Sequence, residues 1–406
     1  MLYRKMEKTG DELSILGFGC MRLPTKNGRI DEALATKQLR HAIDQGVNYV
    51  DTAWPYHGGR SESFLGKALK DGYREKVKIA TKLPQFLCHS KDDMYSFFNK
   101  QLVKLDTDKI DYYLIHSLNG AGWEKMKELG IFEFMEDIKS SGKVTNIGFS
   151  FHGVREDFKT IVDDYNWDFC QIQYNILDEH NQAGKEGLMY AAEKGLGVII
   201  MEPLHGGSLA TTQPDKVKKI YDSAKVKRTN VEWALRWIWN HPEVTVVLSG
   251  MNNDDHIREN IEIASKAYPN SLTELELKIV SDAANTYKSL RKVGCTGCGY
   301  CMPCPAKVNI PGAFEAYNNR HLFNKKLFYT ATYLGGAGGL MGGDTSLASQ
   351  CINCKKCVKE CPQSINIPEE LKNVSREFEG PINKSLLFLG KKYMGLQARR
   401  KKKRSS

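Results

Sequence analysis

Eight short apolar runs recur along roughly the first 290 residues, and this repeat constrains the fold more than any other feature of the chain. They occupy residues 15–20, 48–53, 77–82, 111–116, 145–150, 169–175, 197–202 and 244–250. Most are almost continuously apolar, as strands covered on both faces must be. Amphipathic segments with helical spacing follow them in turn, at 31–45, 61–69, 92–105, 131–140, 154–164, 184–194, 230–240 and 254–265. The first of these begins with Asp31 and Glu32 and stops before Gly46, an acidic start and a glycine stop. Eight strands alternating with eight helices predict an α/β chain folded as a (β/α)8 TIM barrel. The stretch Lys8-Thr-Gly-Asp11 predicts a small hairpin ahead of it.

A chain of 406 residues is long for one domain and leaves room for a smaller second one. The start, Met-Leu-Tyr-Arg-Lys-Met, lacks the apolar core of a secretory signal, and no apolar run approaches a membrane span. The formal charge of +10 is uneven. Nine Lys and Arg and no acid fall after Gly380, which leaves the rest close to neutral. The end, Arg399-Arg-Lys-Lys-Lys-Arg404, resembles segments that touch anionic lipid or nucleic acid. A solvated terminus is the plainer reading, so no nucleic acid is expected and contact with an anionic membrane surface is a minor alternative. Ser385-Leu-Leu-Phe-Leu389 suits either a membrane surface or packing on the second domain.

Past residue 290 the composition changes. Eight of eleven cysteines fall in two runs, Cys295-Thr-Gly-Cys298-Gly-Tyr-Cys301-Met-Pro-Cys304-Pro and Cys351-Ile-Asn-Cys354-Lys-Lys-Cys357-Val-Lys-Glu-Cys361-Pro. The second is the C-x2-C-x2-C-x3-C-P pattern of [4Fe–4S] ligation, in which two-residue gaps let one loop supply three thiolates. C-x2-C pairs also hold zinc, but two four-cysteine runs each closed by proline favour iron–sulfur. So many unpaired thiols also fit a reducing, cytoplasmic setting. The 46-residue spacer holds Gly335-Gly-Ala-Gly-Gly339 and Gly342-Gly343, which suggests a loop, between helical flanks at 310–319 and 368–376. The expected division is a barrel at 1–290, an iron–sulfur domain at 291–375 and a basic tail at 376–406. Cys20, Cys88 and Cys170 stand alone and read as inert core thiols.

In such barrels the chemistry sits at the C-terminal strand ends. Those ends carry Asp51 with Tyr56 just beyond, Lys82, His116, Ser150, Gln171, Glu202 and Ser249. A phenol of pKa about 10 is a weak acid, and a neighbouring ammonium eases its ionisation. A carboxylate holds that ammonium, and a neutral imidazole can bond a carbonyl oxygen. The set suits general-acid assistance to hydride addition at C=O. Taken singly, each residue has a bland reading: a capped loop for Asp51, a surface ring for Tyr56, a structural histidine for His116. Their joint placement at one rim argues for function. His57, His152 and His205 read as shape-setting.

Asp51, Tyr56, Lys82 and His116, in Asp-Thr-Ala-x-x-Tyr, Ala-Thr-Lys and Tyr-Leu-Ile-His, resemble the catalytic tetrad of the aldo-keto reductase superfamily. The resemblance covers about residues 1–270. It implies NADPH or NADH lying across the barrel mouth, with Ser150 and Gln171 on the nicotinamide amide. It also implies Met201, Glu202, Pro203, Leu204 and Gly206 passing the ring and pyrophosphate, and Ser249, Gly250, Arg258, Glu259 and Asn260 at the adenosine end. The family's Ser-Asn is here Ser150-Phe151, its stacking tyrosine is Met201, and its 2′-phosphate residues fall on Gly250 and His256, with Arg258 nearby. The whole chain resembles a subgroup with a C-terminal, mostly α-helical ferredoxin-like domain, marked by Gly148-Phe-Ser-Phe-His152, Met201-Glu-Pro-Leu204 and Cys295–Pro305. In two-cluster ferredoxins the fourth cysteine crosses over. By that resemblance Cys295, Cys298, Cys301 and Cys361 hold one [4Fe–4S] cluster and Cys351, Cys354, Cys357 and Cys304 the other.

The reading is an NAD(P)H-dependent oxidoreductase that reduces a small carbonyl substrate or oxidises an alcohol, with the clusters exchanging electrons with a redox partner protein. Hydride carries two electrons and a cubane takes one, so a flavin in the mouth or on the partner would reconcile them, although no residue signals one. The rival reading makes the cysteine domain a docking, structural or redox-sensing module beside a barrel that acts alone or only binds cofactor.

Overall fold

The structure, a computed structural model, describes residues 1–323, 325–339 and 344–387. Two compact units divide it: Met1–His205 with Val226–Ser281, and Gly206–Lys225 with the described residues from Asp282 onward.

In the first unit, eight strands close into a barrel among the described residues: β1 (Leu16–Gly19), β2 (Tyr49–Asp51), β3 (Lys78–Leu83), β4 (Ile110–Leu118), β5 (Val144–Phe151), β6 (Phe169–Gln173), β7 (Gly197–Met201) and β8 (Val244–Ser249). Every neighbouring pair is parallel, and the ring shuts where Val247 of β8 stands opposite Leu16 of β1. The expected (β/α)8 architecture is therefore present. Helices between the strands cover the outside, among them α1 (Glu32–Asp44), α2 (Ser61–Ala68) and α3 (Lys91–Leu105). Asp31 caps α1 by accepting from Leu34 N, and Ser90 and Asp93 form a capping box on α3.

The predicted hairpin is formed by Tyr3–Lys5 and Glu12–Ser14 and floors the barrel. Its Met6 and Leu13 join Tyr49, Tyr112, Phe169 and Ile199 in one buried cluster. A Cβ on residue 197, the first of β7, would press on the Met6 thioether, which would have to shift. Asp11 of the turn accepts from Tyr112 Oη at 2.6 Å and pairs with Lys78 at 3.0 Å. The hairpin is thus bound to the barrel by apolar packing, a hydrogen bond and an ion pair.

The second unit builds its own core from Val293, Val308, Phe314, Tyr317, Leu371, Val374 and Phe378. Its helices Ile310–Leu322 and Ile367–Phe378 each carry proline in the first turn, where no donor is lost. The glycine stretch differs from the expected loop: Gly335 and Gly336 lie inside the helix Lys326–Ala337. Two glycines cost a helix roughly 1 kcal/mol each, and packing of Tyr333 and Leu334 into the core offsets that cost. Gly342 and Gly343 fall outside the described residues, as do Phe388, Leu389 and the polybasic end. Leu387 is buried, and a Cβ at Gly338 would lie 2.5 Å from it. Among the described residues no helix is long and apolar enough to cross a membrane.

Candidate active site and metal centres

β2 ends at Asp51, β3 carries Lys82, and both side chains are sealed from solvent, at 2% and 1% exposure. Lys82 Nζ donates to Asp51 Oδ1 and Oδ2 at 2.7 Å each, to Thr52 O at 2.8 Å and to Tyr56 Oη at 3.5 Å. Burial pushes the Asp51 carboxyl up and the Lys82 ammonium down, and each partner's charge opposes that push on the other. The pair survives because the contacts to Asp51 are bidentate and the third N–H is shared between the Thr52 carbonyl and, at longer range, Tyr56 Oη. His116, two residues before the end of β4, is buried, with its ring 6.2 Å edge-on from Tyr56 and 5.9 Å from Phe86. Burial, then the nearby Lys82 charge, holds its pKa well below the ordinary value, so the imidazole is neutral. Burial likewise lowers His152 to about 4.

Tyr56 opens the tight turn Tyr56–Gly58, where His57, Gly58 and Gly59 all have positive φ. Lys104 of α3 pins this turn. Its Nζ lies 3.4 Å from the centroid of Trp54, donates to Gly59 O at 3.1 Å and pairs with Glu62 at 3.4 Å. Glu62 is fully buried and also accepts from Thr81 Oγ1 at 2.8 Å and Gln101 Nε2 at 2.6 Å, while Gln101 Nε2 reaches Lys82 O at 3.0 Å. One carboxylate thus ties the strand bearing Lys82 to the turn bearing Tyr56. Sequence reasoning missed Glu62, Gln101 and Lys104, because on amphipathic helices they read as ordinary polar positions.

The candidate cofactor residues fall on separate strands, turns and a helix. Ser150 Oγ accepts from Ser117 N at 2.7 Å. Gln171 on neighbouring β6 is 2% exposed, and its Oε1 is buried without a hydrogen-bond partner. After Met201, the chain turns sharply: Glu202 and His205 have φ of +57° and +47°, and Gly206 and Gly207 of +66° and +92°. Asn175 Nδ2 donates to Glu202 O at 3.0 Å, Pro203 is buried and Leu204 is half-buried. Gly206 begins the second unit, where a Cβ would lie 1.9 Å from Thr296 O, inside the first cysteine run. Asn260 Nδ2 donates to buried Ser249 Oγ at 2.8 Å. Gly250 lies under Arg22, whose Cβ would be 3.1 Å from an added Cβ. Arg258 is exposed and paired with Asp255 at 2.8 Å, and Glu259 accepts from Thr229 at 2.7 Å. Cys20, Cys88 and Cys170 are all buried.

In the second unit Cys295, Cys298, Cys301 and Cys361 line one cavity. Cys304, Cys351, Cys354 and Cys357 line another, which Cys301 also borders. Burial and neighbouring cysteines push the Cys295 thiol up to about 11 and Cys301 to about 12. Each cavity thus offers four soft sulfur donors, the donor set that a [4Fe–4S] cluster takes, so the residues present fit such a group.

Residues 15–275 match the Aldo/keto reductase family, and residues 294–366 match a 4Fe-4S dicluster domain. The chain belongs to the aldo/keto reductase family, and it is an oxidoreductase with an added iron–sulfur domain. Its relatives include the uncharacterized oxidoreductase YqkF of Bacillus subtilis, 26% identical over 308 residues, covering 68% of this chain and 95% of that protein. The NADH-specific methylglyoxal reductase of Escherichia coli is 25% identical over 61% of this chain and 89% of its own. Among solved structures, aldo-keto reductase AKR11C1 from Bacillus halodurans in its holo form superposes with a TM-score of 0.58 at 28% identity, covering 70% of this chain and 96% of that one.

Proposed function

We propose that the barrel reduces a carbonyl compound, or oxidises the corresponding alcohol, with NADPH or NADH, and that Tyr56 is the proton donor. The observation that carries this is Lys82 Nζ, bound to Asp51 at 2.7 Å and within 3.5 Å of Tyr56 Oη. The ammonium favours the phenolate that remains when Tyr56 releases its proton to a carbonyl oxygen. Asp51 keeps that ammonium in place. Neutral His116 donates a hydrogen bond to the same oxygen without competing as an acid. The bound nicotinamide supplies the hydride. The unsatisfied Oε1 of Gln171 suits a carboxamide N–H, with Ser150 beside it across the β5–β6 pair. The turn from Met201 to Gly206 is assigned to the rest of the ring and the pyrophosphate. Ser249, Gly250, Arg258, Glu259 and Asn260 are assigned to the adenosine end.

The two cysteine sets would hold two [4Fe–4S] clusters, with Cys361 and Cys304 crossing between runs, that pass electrons to or from a partner protein. The division at 1–290, 291–375 and 376–406 stays part of this proposal, with residues 206–225 grouped by their contacts with the second unit. A second reading, in which the barrel works alone beside a docking or sensing module, draws support from relatives such as YqkF, which a 95% match accounts for without the rest of this chain.

The test uses anaerobically purified, iron-loaded protein with NADPH or NADH and a simple aldehyde. Tyr56→Phe should abolish aldehyde reduction and retain iron; continued turnover removes Tyr56 as the acid. Cluster bleaching by the nicotinamide without added flavin supports coupling, and oxidised clusters beside active aldehyde reduction support the second reading.

A further inference from the structure

The two cysteine cavities differ in what surrounds them. The cavity of Cys295, Cys298, Cys301 and Cys361 is otherwise lined by uncharged residues such as Phe314, Ile365 and Ile367. That of Cys304, Cys351, Cys354 and Cys357 is also lined by Met302, Ile352, Lys355, Lys356 and Glu360. Cys354 is the one exposed cysteine among the described residues. Ile352 beside it is 67% exposed and Met302 38%. Lys355, Lys356 and, one turn on, Lys359 are exposed, and none of the three is in an ion pair among the described residues. Glu360 is the single acid in the run.

An exposed apolar side chain in a short run that carries three exposed lysines against one acid is the anatomy of a transient docking face: the apolar centre excludes water and the basic excess steers approach. Structural lysines would be expected to find carboxylates, as Lys307 does with Asp344 in the same unit. Electron transfer also needs close approach, and an exposed ligating cysteine provides it.

We propose that the Cys351–Cys357 loop is the port through which a small acidic one-electron carrier protein docks on Lys355, Lys356 and Lys359, around Ile352. This rests on the iron–sulfur reading given above. Each encounter moves one electron: the carrier is oxidised by one equivalent, the cluster goes from the 2+ to the 1+ state, and no atom or proton crosses.

The experiment mixes reduced flavodoxin, an acidic carrier of this class, with the oxidised iron-loaded full chain and follows the flavin colour change by stopped flow. Dithionite bleaching serves as a control that needs no protein docking. The second-order rate should fall by about tenfold or more as salt is raised from low to several hundred millimolar, as steered association does. The variant K355E/K356E/K359E should lose a similar factor at low salt and most of its salt dependence, with iron content and dithionite bleaching unchanged. Should that variant shed iron, K355Q/K356Q/K359Q reads the same effect at smaller amplitude. A rate indifferent to salt, or unchanged in an iron-replete variant, overturns the proposal. So does binding to phosphatidylglycerol vesicles that the variant abolishes while the flavodoxin rate stays put, since the face would then belong to a membrane. If dithionite bleaches nothing in the parent protein, it is the iron–sulfur reading that fails.

Discussion

Lys104 sets its ammonium 3.4 Å from the centre of the Trp54 ring, two residues ahead of Tyr56, and reaches buried Glu62 and Gly59 O from the same position. The proposed acid thus sits on a turn stapled by a cation that never touches it. A partly exposed cation–π contact is worth about 0.5–2 kcal/mol, and a small displacement at a proton donor is amplified in rate. Lys104→Met should lower kcat for aldehyde reduction by roughly 3–30-fold while NAD(P)H affinity, followed by fluorescence, stays unchanged. Lys104→Arg should recover part of the loss, since a guanidinium stacks on indole as well. An unaltered kcat in the methionine variant would show that Trp54 and the glycines hold the turn unaided.

The mouth histidines make the fold sensitive to acid. In the unfolded chain an imidazole titrates near 6.5, whereas in the folded chain burial holds His152 down to about 4 and His116 well below the ordinary value. Between those values the unfolded state binds more protons, so stability rises with pH and is lost as pH falls below the unfolded pKa. Half-buried His152 should account for about 1–2 kcal/mol of the loss between pH 7.5 and 5. Urea unfolding at those two pH values should give a smaller drop for His152→Gln than for the parent. Equal drops in the two proteins would mean that His152 titrates normally.

Crossed ligation makes a prediction that sequential ligation reverses. Cys298 and Cys361 line one cavity, and Cys304 borders the other. The double variant C298S/C361S should damage one site and keep about half of the parent's iron and sulfide, on two four-cysteine sites. C298S/C304S should damage both sites and lose nearly all. If each run holds its own cluster, the two results change places.

The strands were legible because burial on both faces leaves an apolar signature that side-chain contacts cannot blur. Asp51, Tyr56, Lys82 and His116 could be gathered because strand ends in a barrel share one rim. The helix Gly120–Glu128 was not foreseen, since two glycines at its start read as breakers. Its cap is spatial: Asn119 accepts from Gly122 N, and Asp157 accepts from Gly120 N at 2.8 Å. Glu62 and Lys104 stayed hidden because the contacts that bury them join separate helices. The grouping of Gly206–Lys225 with the second unit was hidden as well, since a strand-end loop in a barrel carries no mark of which core it will join.

The pairing of Leu16 with Val247 sets a timetable for the making of this protein. The first strand must wait for the last, and at 5–20 residues per second synthesis of the intervening chain takes on the order of tens of seconds. Until then the sheet has two open edges, each able to pair with a stranger. Cys295 is translated only after β8, and Cys361 later still. A barrel able to shut before the thiols emerge would already be folded when Cys295 and Cys361 leave the ribosome.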